Sequence, residues 1–168
     1  MTENELLLCP DKTDDNKKKL LLFVCTGNTC RSPMAAALFN HIFTDSEYFA
    51  ASAGLYADGS PISPNAAEAL MERGVLPTPH NDYRRHVSRR LDEKLLDEAD
   101  TVVAITERHA MEIIFRYPAY ASRVVVMSED IPDPYGGSME VYRECLSKIE
   151  AVLRDSFEAA PSKESENG

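Results

Sequence analysis

Residues 20–33 read Leu-Leu-Leu-Phe-Val-Cys-Thr-Gly-Asn-Thr-Cys-Arg-Ser-Pro, and this run constrains the fold more than any other stretch of the chain. The apolar residues Leu20 to Val24 suit a strand buried on both faces, as in the middle of a parallel sheet. Short, polar or glycine residues follow, and from Met34 an alanine-rich pattern takes up helical spacing. The expected unit is strand, loop, helix. Pro33 fits a first helical turn and Ser32 a helix cap, so the amides of that turn are expected to point back into the loop. A loop backed by a helix N-terminus in this way is an anion site.

This anion site also carries a cysteine at its start and an arginine six positions later. Cys25 sits where inward N–H groups, the helix terminus and the guanidinium of Arg31 all favour a thiolate, the nucleophilic form of the side chain. Arg31 can grip two oxygens of a tetrahedral anion through its planar fork. Taken singly, each residue has a plainer explanation: a buried cysteine after a strand, and an arginine in a surface salt bridge. The pair at this spacing, between a strand and a helix, favours chemistry.

Composition limits what that chemistry acts on. The chain has 168 residues, of which 43% are hydrophobic, enough for one domain with a real core. Lys plus Arg number 18 against 28 Asp plus Glu, a formal charge of -10, which argues against nonspecific binding to nucleic acid or to an anionic membrane. Any anion selectivity must then be local. Cysteines stand at 9, 25, 30 and 145 with no CxxC pair and no zinc-like His/Cys spacing, so no metal and no cofactor is expected, and the setting reads as reducing and cytoplasmic. The triple lysine at 17–19 before Leu20 imitates a signal peptide, but the apolar run is too short and too far from Met1. No stretch reaches transmembrane length. Residues 1–18, apart from Leu6-Leu7-Leu8, are polar and read as a flexible tail; 19–158 form the domain, and 159–168 a second flexible tail.

Along the domain, a first helix runs to Phe43 with Met34 and Phe39 in the core, and a second strand over 48–53 ends in Ser52-Ala53-Gly54. After a loop carrying Tyr56, Ser63-Pro64 caps a helix that reaches Arg73 and stops at Gly74. The segment 84–91, Arg-Arg-His-Val-Ser-Arg-Arg-Leu, is a basic cluster in an acidic chain and reads mostly as a solvated face with a capping serine. A short helix over 91–99, a third strand over 101–105, a helix over 107–117 and a fourth strand over 124–127 follow. The loop 128–137 then leads to a long helix over 138–157 with Val141, Cys145, Ile149, Val152 and Leu153 facing inward. This alternation predicts one four-stranded parallel α/β sheet with helices on both faces and right-handed crossovers, the anion-binding loop following the first strand. Cys25 then follows the first strand and Asp133 the fourth. In a parallel sheet those strand ends share the edge where ligands bind, so residues 108 positions apart can face one another.

The run Val24 to Pro33, V-C-T-G-N-T-C-R-S-P, resembles the phosphate-binding loop of the low-molecular-weight protein phosphatases, and Asp133-Pro134-Tyr135 resembles that family's acid loop. The similarity extends over most of the chain. The resemblance implies a cysteine-dependent phosphatase in which residues Thr26, Gly27, Asn28, Thr29, Cys30, Arg31 and Ser32 cradle the phosphate. It implies further that Ser52 and His86 brace Asn28, that Ser32 donates to the Cys25 thiolate, that Tyr56 walls the cleft, and that Cys30 can pair reversibly with Cys25 under oxidation. From the residues alone, Ser52 is equally well a strand-end serine bonding its own backbone, and Ser32 a plain cap. Asn28 suits a left-handed backbone position.

The mechanism expected on this reading is two-step. Cys25 attacks phosphorus, the loop and Arg31 hold the oxygens, Asp133 protonates the departing atom, and Asp133 then activates water against the phosphocysteine. Pro134 keeps Asp133 extended, and Asp130 is the weaker candidate for the acid. Thr29, Thr26, Tyr56 and Tyr135 are the expected selectivity residues. Tyrosine-specific members commonly carry isoleucine at the site of Thr29, whereas the protein-arginine phosphatase branch resembles this loop and the 133–138 segment more closely. Tyr135 departs from the phenylalanine of that branch. Phosphoarginine in a protein is therefore the expected substrate, with phosphotyrosine the alternative, inorganic phosphate the product and a monomer the expected state. Two further classes are weighed. An arsenate reductase would need relay cysteines between Cys30 and Cys145, where there are none, and a dead phosphobinding module would be expected to lack one of Cys25, Arg31 and Asp133.

Overall fold

The computed structural model describes residues 18–158, so the two tails, with Leu6-Leu7-Leu8 and Cys9, lie outside the described residues. Four strands, β1 (Lys19–Cys25), β2 (Tyr48–Gly54), β3 (Thr101–Ala104) and β4 (Val124–Val126), form one sheet in the order β2-β1-β3-β4. Every pairing is parallel. β1 is central because its side chains are apolar on both faces. Leu21 and Phe23 join one buried cluster, Leu20, Leu22 and Val24 the other.

Helices cover both faces, as expected. On the Phe23 side lie α1 (Arg31–Ile42), α2 (Pro64–Arg73) and α5 (Met139–Glu158), packed around Phe39, whose ring centroid is 5.0 Å from those of both Phe43 and Phe157. The opposite side is covered by α3 (Glu93–Glu98) and α4 (Glu107–Arg116), through Leu95, Leu96, Ala110 and Ile113. Each fully buried leucine or phenylalanine here stabilises the fold by about 1.5–3 kcal/mol. The sheet has to place the C-terminal ends of β1 and β4 on one edge, and this two-sided burial fixes that geometry.

Several local expectations change. α1 begins at Arg31, with Cys30 as the residue before it and no side-chain cap, so Ser32 is not the cap; it is fully buried inside the first turn and used elsewhere. Ser63 does precede α2, yet its hydroxyl donates to the Tyr142 hydroxyl at 3.0 Å instead of capping. Ser88 caps nothing either, because it is buried and accepts from the Gly59 amide at 3.0 Å. The cap of α3 is Asp92, whose carboxylate accepts from the Leu95 amide at 2.9 Å. Val141 is 42% exposed, so the inward stripe of α5 is carried by Tyr142, Cys145, Leu146, Ile149, Val152 and Leu153. A helical stripe admits a one-residue rotation at its start, and the aromatic Tyr142 takes the buried place.

Candidate active site

The loop that follows β1 is laid down on the backbone of residues 54–56. The Leu55 amide donates to the Cys25 carbonyl at 3.0 Å and the Tyr56 amide to the Thr26 carbonyl at 2.9 Å. Gly54 is the point of closest approach. A Cβ there would lie 2.7 Å from the Thr26 carbonyl oxygen and 2.9 Å from Asn28, so only glycine lets the loop sit this low.

Asn28 holds the loop's shape. Its φ of 59° is left-handed, a conformation asparagine tolerates better than most residues. Its Nδ2 donates to Ser32 Oγ at 2.8 Å and to Ser52 Oγ at 2.9 Å, while its Oδ1 accepts from the Arg89 amide at 3.0 Å. The Asn28 carbonyl accepts from His86 Nε2 at 2.8 Å; a carbonyl can only accept, so that nitrogen carries the proton. Burial pulls the His86 pKa down, which keeps the ring neutral. Ser52 and His86 thus stand where the resemblance implied, and Ser52 reaches across to the loop rather than to its own strand. Arg89 was missed because its contribution is a main-chain amide, which side-chain identity does not signal.

Ser32 Oγ lies 2.9 Å from Cys25 Sγ and, already accepting from Asn28, has one proton for the sulfur or for the Ala53 carbonyl at 3.4 Å. Cys25 is 3% exposed and forms part of the floor of a cavity of about 240 Å³ lined by the loop residues 25–31, Tyr56, Asp133 and Tyr135. Burial, the largest influence, pushes the thiol up from the ordinary cysteine value. The Ser32 hydroxyl and amide, the Arg31 charge and the Asn28 amide oppose it. The sequence leads one to expect a thiol whose pKa is lowered outright. The structure keeps every stabiliser of the thiolate but adds a dry surrounding that the sequence does not reveal.

Arg31 is buried and spans two loops. Its Nη1 donates to the Ile131 carbonyl at 3.0 Å, and its Nη2 lies 3.7 Å from Asp133 Oδ2. Asp133 is 53% exposed at the side chain, and its Oδ1 accepts from the Tyr135 amide at 3.1 Å, which aims the carboxylate. Thiol, guanidinium and carboxylate therefore border one cleft. Asp130 instead lines an adjoining cavity between the acid loop and the start of α4. Tyr56 and Tyr135, 53% and 75% exposed, flank the mouth, and the Arg116 guanidinium stacks 4.6 Å from the Tyr56 ring. Thr26 and Thr29 belong to the same rim.

Cys30 is a free thiol, as are Cys25 and Cys145. Its Sγ is 3.3 Å from the Tyr142 hydroxyl, whose pKa is pushed up to about 12, first by burial and then by Cys30. Tyr142 and His109 were not anticipated as neighbours of the site. The spacing of Thr106 and His109, a capping-box pattern at the start of a helix, was the available signal for the histidine.

A model of the low molecular weight phosphotyrosine protein phosphatase family matches residues 20–166. The chain belongs to that family. A protein-arginine-phosphatase of Bacillus subtilis is 37% identical over 144 residues, covering 80% of this chain and 91% of its own. The low molecular weight protein-tyrosine-phosphatase PtpB of Staphylococcus haemolyticus is 35% identical over 136 residues, covering 77% and 91%. Among solved structures, the YwlE arginine phosphatase from Geobacillus stearothermophilus superposes with a TM-score of 0.73 at 35% identity, covering 83% of this chain and 93% of that one. This phosphatase is therefore a hydrolase of phosphorylated protein, built on a cysteine. Among its described residues no helix is long and apolar enough to cross a membrane.

Proposed function

We propose that the phosphatase hydrolyses phosphoarginine in proteins through a phosphocysteine intermediate. Cys25 Sγ attacks phosphorus while the bond to the guanidine nitrogen breaks. Asp133 gives that nitrogen its proton, and the loop amides and Arg31 hold the three equatorial oxygens as charge redistributes. In the second step water attacks phosphorus, Asp133 takes a proton from it, and the sulfur leaves as a thiolate that the Ser32 hydroxyl stabilises at 2.9 Å. Inorganic phosphate departs. A reducing compartment belongs to this reading, because Cys25 has to remain a thiol.

The observation that carries the choice of substrate is the polar rim. Thr26 and Thr29 line the cleft together with the carboxylates of Asp58 and Asp133, which suit a guanidinium by charge and by hydrogen bonding. The similarity to protein-arginine-phosphatases supports the same reading. Phosphotyrosine is the second reading, favoured by the two exposed rings, Tyr56 and Tyr135, that line the same cavity. Phosphate release from phosphoarginine and from phosphotyrosine, measured side by side under reducing conditions, decides between them. The expected result is a higher kcat/KM on phosphoarginine, with Thr29→Ile lowering the phosphoarginine-to-phosphotyrosine ratio by about tenfold. A wild-type preference for phosphotyrosine, or a ratio unmoved by Thr29→Ile, defeats the proposal.

A further inference from the structure

His109 is buried, outside the phosphate loop, and has both ring nitrogens engaged. The Thr106 amide donates to its Nδ1 at 3.2 Å, and the Thr106 hydroxyl lies 3.0 Å from the same nitrogen. An amide can only donate, so Nδ1 is the acceptor and the proton of the neutral ring resides on Nε2. Burial, with the Arg31 charge behind it, pulls the His109 pKa down to about 4, so the ring is neutral at physiological pH. Its Nε2 lies 2.9 Å from Thr26 Oγ1, across 83 residues of sequence.

The direction of that bond has a consequence for the cleft. With Nε2–H donating, Thr26 Oγ1 accepts, and the hydroxyl keeps its own proton for another partner. Thr26 is the residue directly after Cys25, and it borders both the phosphate cavity and the cavity beneath the acid loop. Helix α4 also supports the rim at Tyr56: Arg116, about two turns beyond His109, stacks on Tyr56 and pairs with Glu112 at 2.8 Å. Residues 109, 112 and 116 recur at helical spacing, so one helix face supports the rim at two points.

We propose that His109 is a positioning residue for phosphoryl transfer. It fixes the Thr26 hydroxyl as a hydrogen-bond donor toward the anion held beside Cys25. This inference rests on the phosphatase reading of the cleft, and it adds a residue that touches neither substrate nor reacting atoms. A purely structural histidine would serve as the capping-box partner of Thr106 and nothing more. The two roles separate through Thr26.

The test is a double-mutant cycle on the full chain, with kcat/KM, inorganic phosphate inhibition and Tm measured for each variant, together with the nitrogen NMR shifts of His109 in the wild type. His109→Leu keeps the bulk but removes both ring contacts and is expected to lower kcat/KM by about three- to tenfold. Thr26→Val is expected to cost about the same, and the double variant no more than either alone. His109→Gln places an N–H where Nε2 stands and is expected to recover most of the loss, although it forfeits the cap. The shifts are expected to show the proton on Nε2. Losses that multiply in the double variant, a Gln variant as poor as Leu, or a proton found on Nδ1 each overturn the proposal. A wild-type enzyme inactive on both phosphoarginine and phosphotyrosine defeats the functional reading instead. The tautomer, and inorganic phosphate binding followed by calorimetry, then still report on the contact between His109 and Thr26.

Discussion

The two loops that meet over the cleft are built on opposite principles. In the loop after β1, Cys25, Asn28, Cys30, Arg31 and Ser32 are all buried, and Asn28 is tied down at its amide nitrogen, amide oxygen and carbonyl at once. The acid loop, 128–138, is anchored chiefly by the burial of Ile131, by the Ile131 carbonyl on Arg31 and by the short turn from the Gly137 amide to the Pro134 carbonyl at 2.8 Å. Asp133 and Tyr135 extend from it into solvent. The anion cradle must hold its amides in place before substrate arrives, since preorganised donors act most strongly when nothing has to move. On the proposed mechanism Asp133 must serve the departing nitrogen in the first step and water in the second, and a side chain extending into solvent can meet both.

Substitutions on each side should break this contrast in unequal measure. Cys25→Ser removes the nucleophile from the rigid loop and is expected to lower phosphate release by more than about 10⁴-fold with the fold intact; substantial residual turnover would identify a different attacking group. Asp133→Asn, on the exposed side, should slow turnover by about 10²–10³-fold while leaving inhibition by inorganic phosphate nearly unchanged. A large loss of phosphate affinity there would mean that the carboxylate organises the cradle rather than serving as acid. Asn28→Ala deletes three side-chain hydrogen bonds and puts a less tolerant residue at φ 59°, for a cost of about 2–4 kcal/mol and a fall in Tm of about 10 °C.

Ser32→Ala sharpens the same comparison through pH. The thiol is already pushed up by burial, and Ser32 is the first of the groups holding it down. Removing the hydroxyl lets the thiol pKa rise further, so the acidic limb of kcat/KM against pH is expected to move to higher pH. A limb that stays in place would assign it to another group. Smallest is Gly136→Ala: φ is 78° there, but no atom lies within 4 Å of the added carbon, so the cost is backbone strain of about 1 kcal/mol. A loss as great as that of Asn28→Ala would show the acid loop to be as tightly specified as the cradle.

Much of this was legible from sequence because it depends on pattern. A run apolar at every position, Leu20 to Val24, can be satisfied only by burial on both faces, and the alternation of strand and helix signals then fixes the sheet and the shared edge. Cys25, Arg31 and Asp133 were legible as candidates because they stand in short motifs, and the structure brings the three to one cavity. What escaped was set by packing across long sequence separations. Ser32 looked like a cap because it precedes Pro33, yet the helix starts earlier at Arg31 and the hydroxyl faces the sulfur. Val141 fitted the stripe of α5 until Tyr142 took the interior beside Cys30. The raised thiol pKa follows from exclusion of water, which no spacing of residues announces.

The placement of Arg31 makes substrate arrival an exchange of partners. In the resting protein its inner nitrogen is committed to the Ile131 carbonyl, and its outer one faces the Asp133 carboxylate at 3.7 Å. An incoming dianion outbids a single, half-exposed carboxylate for that outer nitrogen, and the inner bond keeps the fork level while it turns to its new guest. On the proposed mechanism the Asp133 side chain is thereby freed to turn toward the leaving group, so one event fills the cradle and releases the residue that works above it.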